Sequence, residues 1–124
     1  MFRNDLFTHS EFERIEEGFR STIFFNWEHP VFKGHFPLKP VVPGVLLMQT
    51  VKECFEEFSG IVTDLLGADL KFTSPVTPET AGQVTIEVSV IKEDDGRYKI
   101  RSTGYSGELR FFKINMELVQ GGFV

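Results

Sequence analysis

The residues of this sequence best suited to chemistry lie between His35 and Gly44. An imidazole takes up or releases a proton near neutral pH, so His35 is a candidate proton acceptor. Prolines recur through residues 29–43, and because each fixes φ and lacks an N–H donor, they predict a stiff loop around this histidine. Pro43 suits the first position of a helix, whose unpaired N–H groups stabilise a carbonyl oxygen gaining negative charge. Gly44 lets the backbone approach a ligand there, and the combination suits the formation of an enolate next to a thioester.

One amphipathic helix is predicted to start at Pro43 and to end at Ser59-Gly60. Its apolar residues fall on one stripe at helical spacing: Leu47, Met48, Val51, Cys54, Phe55 and Phe58. The polar residues predicted to lie on the opposite side are Gln49, Glu53 and Glu56. Val45 and Leu46 lie outside the stripe and are still apolar, so we expect the first turn of the helix to be enclosed on most sides.

Strand patterns lie on both sides of this helix. Phe19 to Trp27 is rich in aromatic and β-branched residues and predicts a strand, and Phe72 to Val76 predicts another. Ala81 to Leu118 alternates with period two and carries turn signals at Asp95-Gly96 and Ser106-Gly107, which predicts a meander of three strands. An antiparallel sheet wrapped around one long central helix is an α+β arrangement, the hotdog fold.

The composition is that of one globular domain spanning residues 1–124, with 41% hydrophobic and 25% charged residues. A net charge of -5 disfavours nucleic acid as a partner. The single cysteine, Cys54, excludes an intrachain disulfide and fits a reducing compartment, and we expect it to be a small buried hydrophobe. No long apolar run predicts a signal peptide or a membrane segment, so we expect a cytoplasmic protein. The 14 Phe residues predict that some rings line a groove or a subunit interface.

The stretch Gly34-His35-Phe36-Pro37, followed by Pro43-Gly44-Val45-Leu46, resembles the signature of the β-hydroxyacyl-acyl carrier protein dehydratases, the FabZ/FabA-like enzymes. The resemblance implies a homodimer or higher homo-oligomer of hotdog subunits with acyl tunnels at the interface. The acyl chain arrives on the phosphopantetheine of an acyl carrier protein or as a coenzyme A thioester, and neither a metal nor a bound cofactor is implied.

The same resemblance implies roles for individual residues. His35 would remove the proton α to the thioester, and the Gly44 N–H would polarise the thioester carbonyl. The residues expected to contact substrate are Phe36, Pro37, Pro43 and Val45. Two positions depart from the family pattern: Leu38 replaces a glycine, and Gln49 stands where the family has the acid that assists departure of the hydroxyl.

Gln49 leaves more than one function open, because an amide forms hydrogen bonds but cannot transfer a proton. The leading prediction is a lyase that dehydrates 3-hydroxyacyl thioesters to trans-2-enoyl thioesters. The alternatives are an acyl thioesterase, or a non-dehydrating or partner-dependent subunit whose heterodimer partner supplies the carboxylate. Gln49 is equally explained as an exposed polar helix residue. Glu53 is one turn away, about 5.4 Å along the axis, and we do not expect it to replace the missing acid.

Overall fold

The computed structural model describes residues 2–34, 40–80 and 82–121. The strands in this part of the chain are β1 (Phe7–His9), β2 (Glu13–Ile15), β3 (Gly18–Phe25), β4 (Thr63–Phe72), β5 (Val84–Lys92), β6 (Arg97–Ser106) and β7 (Leu109–Gln120). The helices are the four-residue α1 (Val31–Gly34) and the longer α2 (Gly44–Ser59). None of the described helices is long and apolar enough to cross a membrane.

All these strands belong to one antiparallel sheet in the order β1-β3-β5-β6-β7-β4, with β2 paired to β3. The predicted meander is confirmed as β5, β6 and β7, which turn at Gly96 and Gly107 with φ values of 86° and 59°. The strand predicted from Phe19 is confirmed as β3, which ends at Phe25. The short polar strands β1 and β2 carry no apolar alternation and were not predicted.

Helix α2 spans the 16 residues that the apolar periodicity indicated. It ends at Gly60, whose φ of 75° allows its N–H to bond to the Glu56 carbonyl at 2.8 Å. The apolar residues that α2 buries are Leu47, Val51, Cys54 and Phe55, and they share one core with the inward side chains of the sheet. Each fully buried Leu, Val or Phe stabilises the fold by about 1.5–3 kcal/mol, so packing holds α2 on the sheet.

The strand predicted at Phe72 to Val76 was wrong. Strand β4 ends at Phe72 because the ladder to β7 stops there: the N–H groups of Thr73 and Ser74 both face the Phe111 carbonyl, at 2.9 and 3.4 Å. The Val76 carbonyl then accepts from Val42, outside the sheet. Pro75 has no N–H for a ladder bond. The true strand was missed because almost all of β4 is exposed on both faces, so its apolar residues do not alternate with polar ones.

The prediction that the first turn of α2 is enclosed was also wrong for the single chain. Val45 is 59% exposed, although Leu46 beside it is partly buried against the core. The helix rests on the sheet through the stripe that begins at Leu47, so the outward side of its first turn meets no other described element of the same chain.

Candidate functional site

The start of α2 presents two backbone N–H groups without partners in the part of the chain that the structure describes. The Pro43 carbonyl accepts hydrogen bonds from the N–H groups of Leu46 and Leu47, at 2.9 and 3.1 Å, and these bonds close the first turn. The N–H groups of Gly44 and Val45 find no acceptor among residues 2–34, 40–80 and 82–121. They add to the positive end of the helix dipole and suit an oxygen ligand carrying negative charge.

Gly44 is in close contact with an aromatic ring. The ring of Phe72, at the end of β4, lies against the glycine: a Cβ at position 44 would be 2.4 Å from Phe72 Cζ and 2.7 Å from Cε2. No other side chain fits while the ring keeps this position. The expected ligand approach at Gly44 is therefore bordered by an aromatic ring that is itself 46% exposed.

An open, largely apolar cleft of about 340 Å³ lies beside this helix start. One wall is formed by residues 41–44 and Leu47, and the other by Phe72 and residues 73–76. A hydrogen bond of 3.0 Å from the Val42 N–H to the Val76 carbonyl joins the two walls. The cleft has room for an apolar chain whose carbonyl end meets the N–H groups of Gly44 and Val45.

Gln49 lies five residues beyond Gly44, about 7.5 Å further along the helix axis. It is half-buried rather than fully exposed, and its Nε2 donates a 3.0 Å hydrogen bond to Oε2 of Glu53. The amide is therefore held in one orientation by a carboxylate of the next turn. Sequence reasoning placed both residues on the polar side of the helix and did not anticipate this contact.

Glu53 is buried, at 5% exposure, which corrects its predicted place on the polar face of α2. The N-terminal residues cover it: Oε1 accepts hydrogen bonds from the N–H groups of Phe2 and Arg3, both at 3.0 Å. Arg3 and His9 also pair with Glu57 one turn later. The i, i+4 spacing of Gln49 and Glu53 could have indicated their contact. The burial of Glu53 had no local signal, because the residues that cover it are about fifty positions distant in sequence.

Cys54 is fully buried beside these groups, as predicted. Burial raises the pKa of its thiol above the ordinary range, and the nearby carboxylates of Glu57 and Glu53 add to the effect. A thiol held in its protonated form is not a nucleophile at neutral pH. Cys54 is thus a packing residue of α2.

The structure brings together Pro43, Gly44 and Val45 at the helix start, with Gln49 on the same helix. His35, Phe36 and Pro37, and with them Leu38, lie outside the described residues, and their roles stay predictions. Phe72 was missed as a site residue because nothing local in its sequence indicates a contact with Gly44.

An antiparallel sheet packed on one face by a single longer helix is the architecture of the hotdog fold. The sequence profile of the ApeI-like family, described as ApeI dehydratase, matches residues 11–108, and the chain belongs to this family. The resemblance drawn from the motif is thereby confirmed.

Three known proteins illustrate the relationship. The 3-hydroxyacyl-[acyl-carrier-protein] dehydratase FabZ of Syntrophomonas wolfei is 34% identical over 101 residues, covering 75% of this chain and 63% of its own length. The (R)-hydratase of A. caviae involved in PHA biosynthesis aligns with a TM-score of 0.63 at 21% identity, over 88% of this chain and 99% of its own. The dehydratase heterocomplex ApeI:P of Xenorhabdus doucetiae aligns with a TM-score of 0.62 at 17% identity, over 91% and 97%. The two structures share the fold.

Proposed function

We propose that this protein binds 3-hydroxyacyl thioesters at the start of α2 and dehydrates them to trans-2-enoyl thioesters. The observation that carries the proposal is the pair of N–H groups of Gly44 and Val45, which have no acceptor among the described residues, at a helix start that borders an apolar cleft. Membership of the ApeI-like dehydratase family and the similarity to FabZ support the choice of reaction. The substrate carries its own phosphopantetheine arm, on a carrier protein or on coenzyme A, so the protein needs no cofactor.

The reaction assigns a step to each group. His35 takes the proton from the carbon α to the thioester, and the resulting enolate oxygen is stabilised by the Gly44 N–H. The electron pair then forms the double bond as the C–O bond at carbon 3 breaks. The departing hydroxide takes up the proton that His35 has accepted and leaves as water, which restores the neutral imidazole, because Gln49 cannot supply a proton. In this proposal the chain supplies the groups for binding and enolisation, and it supplies no carboxylic acid at position 49.

We further propose that two hotdog subunits associate along β4. This strand pairs with β7 on one side, and no described strand pairs with its other edge. Its exposed apolar side chains are Leu65, Leu66, Leu70 and Phe72. An open strand edge with exposed apolar residues is a template for pairing with another chain. Such pairing also covers Phe72 at the cleft, and together the two sheets enclose the α2 helices as central helices.

A second candidate function is that of a partner-dependent subunit. It is favoured by the Gln49 amide, which leaves the acid to another chain, and a dehydratase heterocomplex is among the structures that share the fold. In this arrangement His35 of this chain and a carboxylate of a second hotdog protein form one complete site.

The leading proposal is tested by turnover of a 3-hydroxyacyl thioester, carried on the carrier protein or on coenzyme A. Enoyl absorbance measures dehydration, and release of free thiol measures hydrolysis. We expect enoyl product, with His35→Ala lowering kcat/KM by about 100-fold or more. The matched control is His9→Ala, a histidine that stacks on Phe12 and pairs with Glu57, which leaves kcat/KM nearly unchanged. Thiol release without enoyl product would identify a thioesterase instead.

Mixing two proteins that the second candidate function predicts to be inactive alone tests that candidate. One is the native chain, which keeps His35. The other carries His35→Ala together with Gln49→Glu and Glu53→Gln, so that it offers only the acid. If each site draws its two halves from different subunits, the mixture gains enoyl formation that neither protein shows alone. A native homodimer that turns over as fast as the mixture excludes partner dependence.

A further inference from the structure

We propose that His29 is a positioning residue for the reaction. Its neutral imidazole caps α1, the one-turn helix directly before His35 in the sequence, and protonation of the ring releases this cap and slows enolisation. The effect on the rate rests on the proposed function, whereas the effect on α1 can be measured without turnover. The reaction then depends on the charge of a second histidine besides the proposed base.

The hydrogen bonds of His29 require the neutral ring with its hydrogen on Nε2. Nδ1 lies 3.0 Å from the backbone nitrogen of Val31, and because a backbone N–H can only donate, Nδ1 must accept. Nε2 lies 3.1 Å from Oδ2 of Asp5, and because a carboxylate accepts, Nε2 must donate. A proton added at Nδ1 therefore removes the acceptor of the Val31 N–H, while the bond to Asp5 is kept.

The bond from Val31 matters because α1 is short. Val31 is the first residue of this four-residue helix, and its N–H has no acceptor within the helix itself. One helical turn is not stable alone, so the His29 cap and the burial of Phe32, which is 4% exposed, hold α1 in place. α1 ends at Gly34, the residue before His35, so order in α1 limits the freedom of the proposed base.

The N-terminal turn, residues 2–6, connects α1 to α2. Asp5 of this turn accepts from His29, next to α1. Two backbone N–H groups of the same turn donate to the buried Glu53 carboxylate of α2, each 3.0 Å from Oε1. The turn thus links the segment that leads to the proposed base with the helix whose first N–H groups meet the thioester oxygen.

Asp5 is the charged group that faces the His29 ring from the N-terminal turn. The side chain of His29 is 12% exposed, and that of Asp5 is 65% exposed. The charged residues of the histidine's own segment are Glu28 and Lys33, and neither forms an ion pair or hydrogen bond with the ring within residues 2–34, 40–80 and 82–121. Because Asp5 is bound in both charge states, the change on protonation is confined to the Val31 N–H.

His29→Asn separates the cap from the titration. Asn26 shows that an asparagine in this segment accepts from the N–H two residues later, since its Oδ1 lies 3.1 Å from the nitrogen of Glu28. An asparagine at position 29 can accept from Val31 in the same way, and it does not titrate. His29→Ala has no acceptor there, so we expect it to lower kcat/KM by about fivefold at pH 8, with His29→Asn restoring most of the loss.

The decisive measurement is kcat/KM for enoyl formation between pH 8 and pH 5, the range in which histidine side chains change charge. Dividing the native value by that of His29→Asn cancels the titration of His35, which both proteins keep. We expect this ratio to fall by about fivefold toward pH 5, the factor by which one helix cap typically shifts the equilibrium of a helix. A ratio that stays constant overturns the inference.

His9→Asn is the matched control. The side chain of His9 is also 12% exposed, and its Nε2 also pairs with a carboxylate, that of Glu57. Its Nδ1, however, lies 2.6 Å from the Ser10 carbonyl oxygen, which is an acceptor, so protonation of His9 breaks no hydrogen bond. The ratio of native to His9→Asn should therefore be the same at pH 8 and pH 5.

Two signals of the native protein report on the cap without turnover. The nitrogen shifts of the His29 ring should show the hydrogen on Nε2 at pH 8, and the protection factor of the Val31 amide should fall toward pH 5. A neutral ring with its hydrogen on Nδ1, or Val31 protection that is unchanged at pH 5, overturns the inference even if His29→Asn fails to fold. A native protein that shows both signals and forms no enoyl product contradicts the proposed function alone.

Discussion

The ring of Phe72 occupies the space that a side chain at Gly44 would need, with Cζ 2.4 Å from the ideal Cβ position. The contact joins the end of β4 to the start of α2 and forms one border of the cleft. Through this contact an otherwise exposed strand packs on the N-terminus of the helix. The strength of the contact can be measured as an interaction energy between the two residues.

In a double-mutant cycle at these positions, Gly44→Ala should change the stability of the protein in opposite directions in the native and the Phe72→Ala backgrounds. Gly44→Ala alone crowds the ring, and we expect it to destabilise the protein by about 1–2 kcal/mol. In the Phe72→Ala background the space is empty, and Gly44→Ala should stabilise by about 0.5 kcal/mol by restricting the unfolded chain. Urea unfolding of the four proteins gives the coupling. Equal effects in both backgrounds would show that the ring does not constrain Gly44.

Substitution on β4 should separate the subunits of a dimer. Leu66 is 52% exposed on this strand, and Leu66→Lys places a charge in the proposed interface, so we expect a monomer in sedimentation at micromolar concentration. Ile91→Lys is the control: it changes a residue of similar type, 40% exposed on β5, and should leave the native oligomer intact. If Leu66→Lys sediments like the native protein, the interface lies elsewhere.

The single substitution Gln49→Glu should make stability depend on pH. It brings a second carboxyl within about 3 Å of the buried Glu53 carboxylate, and both cannot ionise together. In the unfolded chain both ionise freely, so the cost to folding grows as pH rises above about 4.3, the ordinary value for glutamate. We expect little loss of stability at pH 4 and a loss of about 1–3 kcal/mol at pH 8, removed by adding Glu53→Gln. A loss equal at both pH values would point to packing instead.

Two lysines face each other on the exposed face of the sheet, and removing one of these charges should increase the stability of the protein. Lys71 on β4 is the direct register partner of Lys113 on β7, and neither has an ion-pair partner in the described part of the chain. Like charges directly opposite destabilise a sheet, so Lys113→Gln should stabilise the protein by about 0.3 kcal/mol at low salt and less at high salt. Lys99→Gln is the control, because Lys99 pairs with Glu93 at 3.1 Å and its loss should bring no gain. A gain that does not shrink with salt would contradict the electrostatic explanation.

The parts of the fold that were predictable carry local signals. α2 was visible from its apolar period and its terminal glycine, and the β5–β7 meander from alternation and turn residues. β4 was placed wrongly because its exposed apolar residues give no two-sided pattern within one chain. In the site, the helix start at Pro43-Gly44 was predictable, whereas the Phe72 contact and the burial of Glu53 depend on residues distant in sequence.

The position of β7 between β6 and β4 sets the order in which the molecule can be assembled during synthesis. β4 leaves the ribosome well before β7, its partner within the described sheet, so the nascent chain carries a strand with exposed leucines and no ladder to join. Pairings distant in sequence form late. The cleft border at Phe72 is therefore completed only after β7 has been synthesised, and until then the edge of β4 that pairs with β7 is open to other strands.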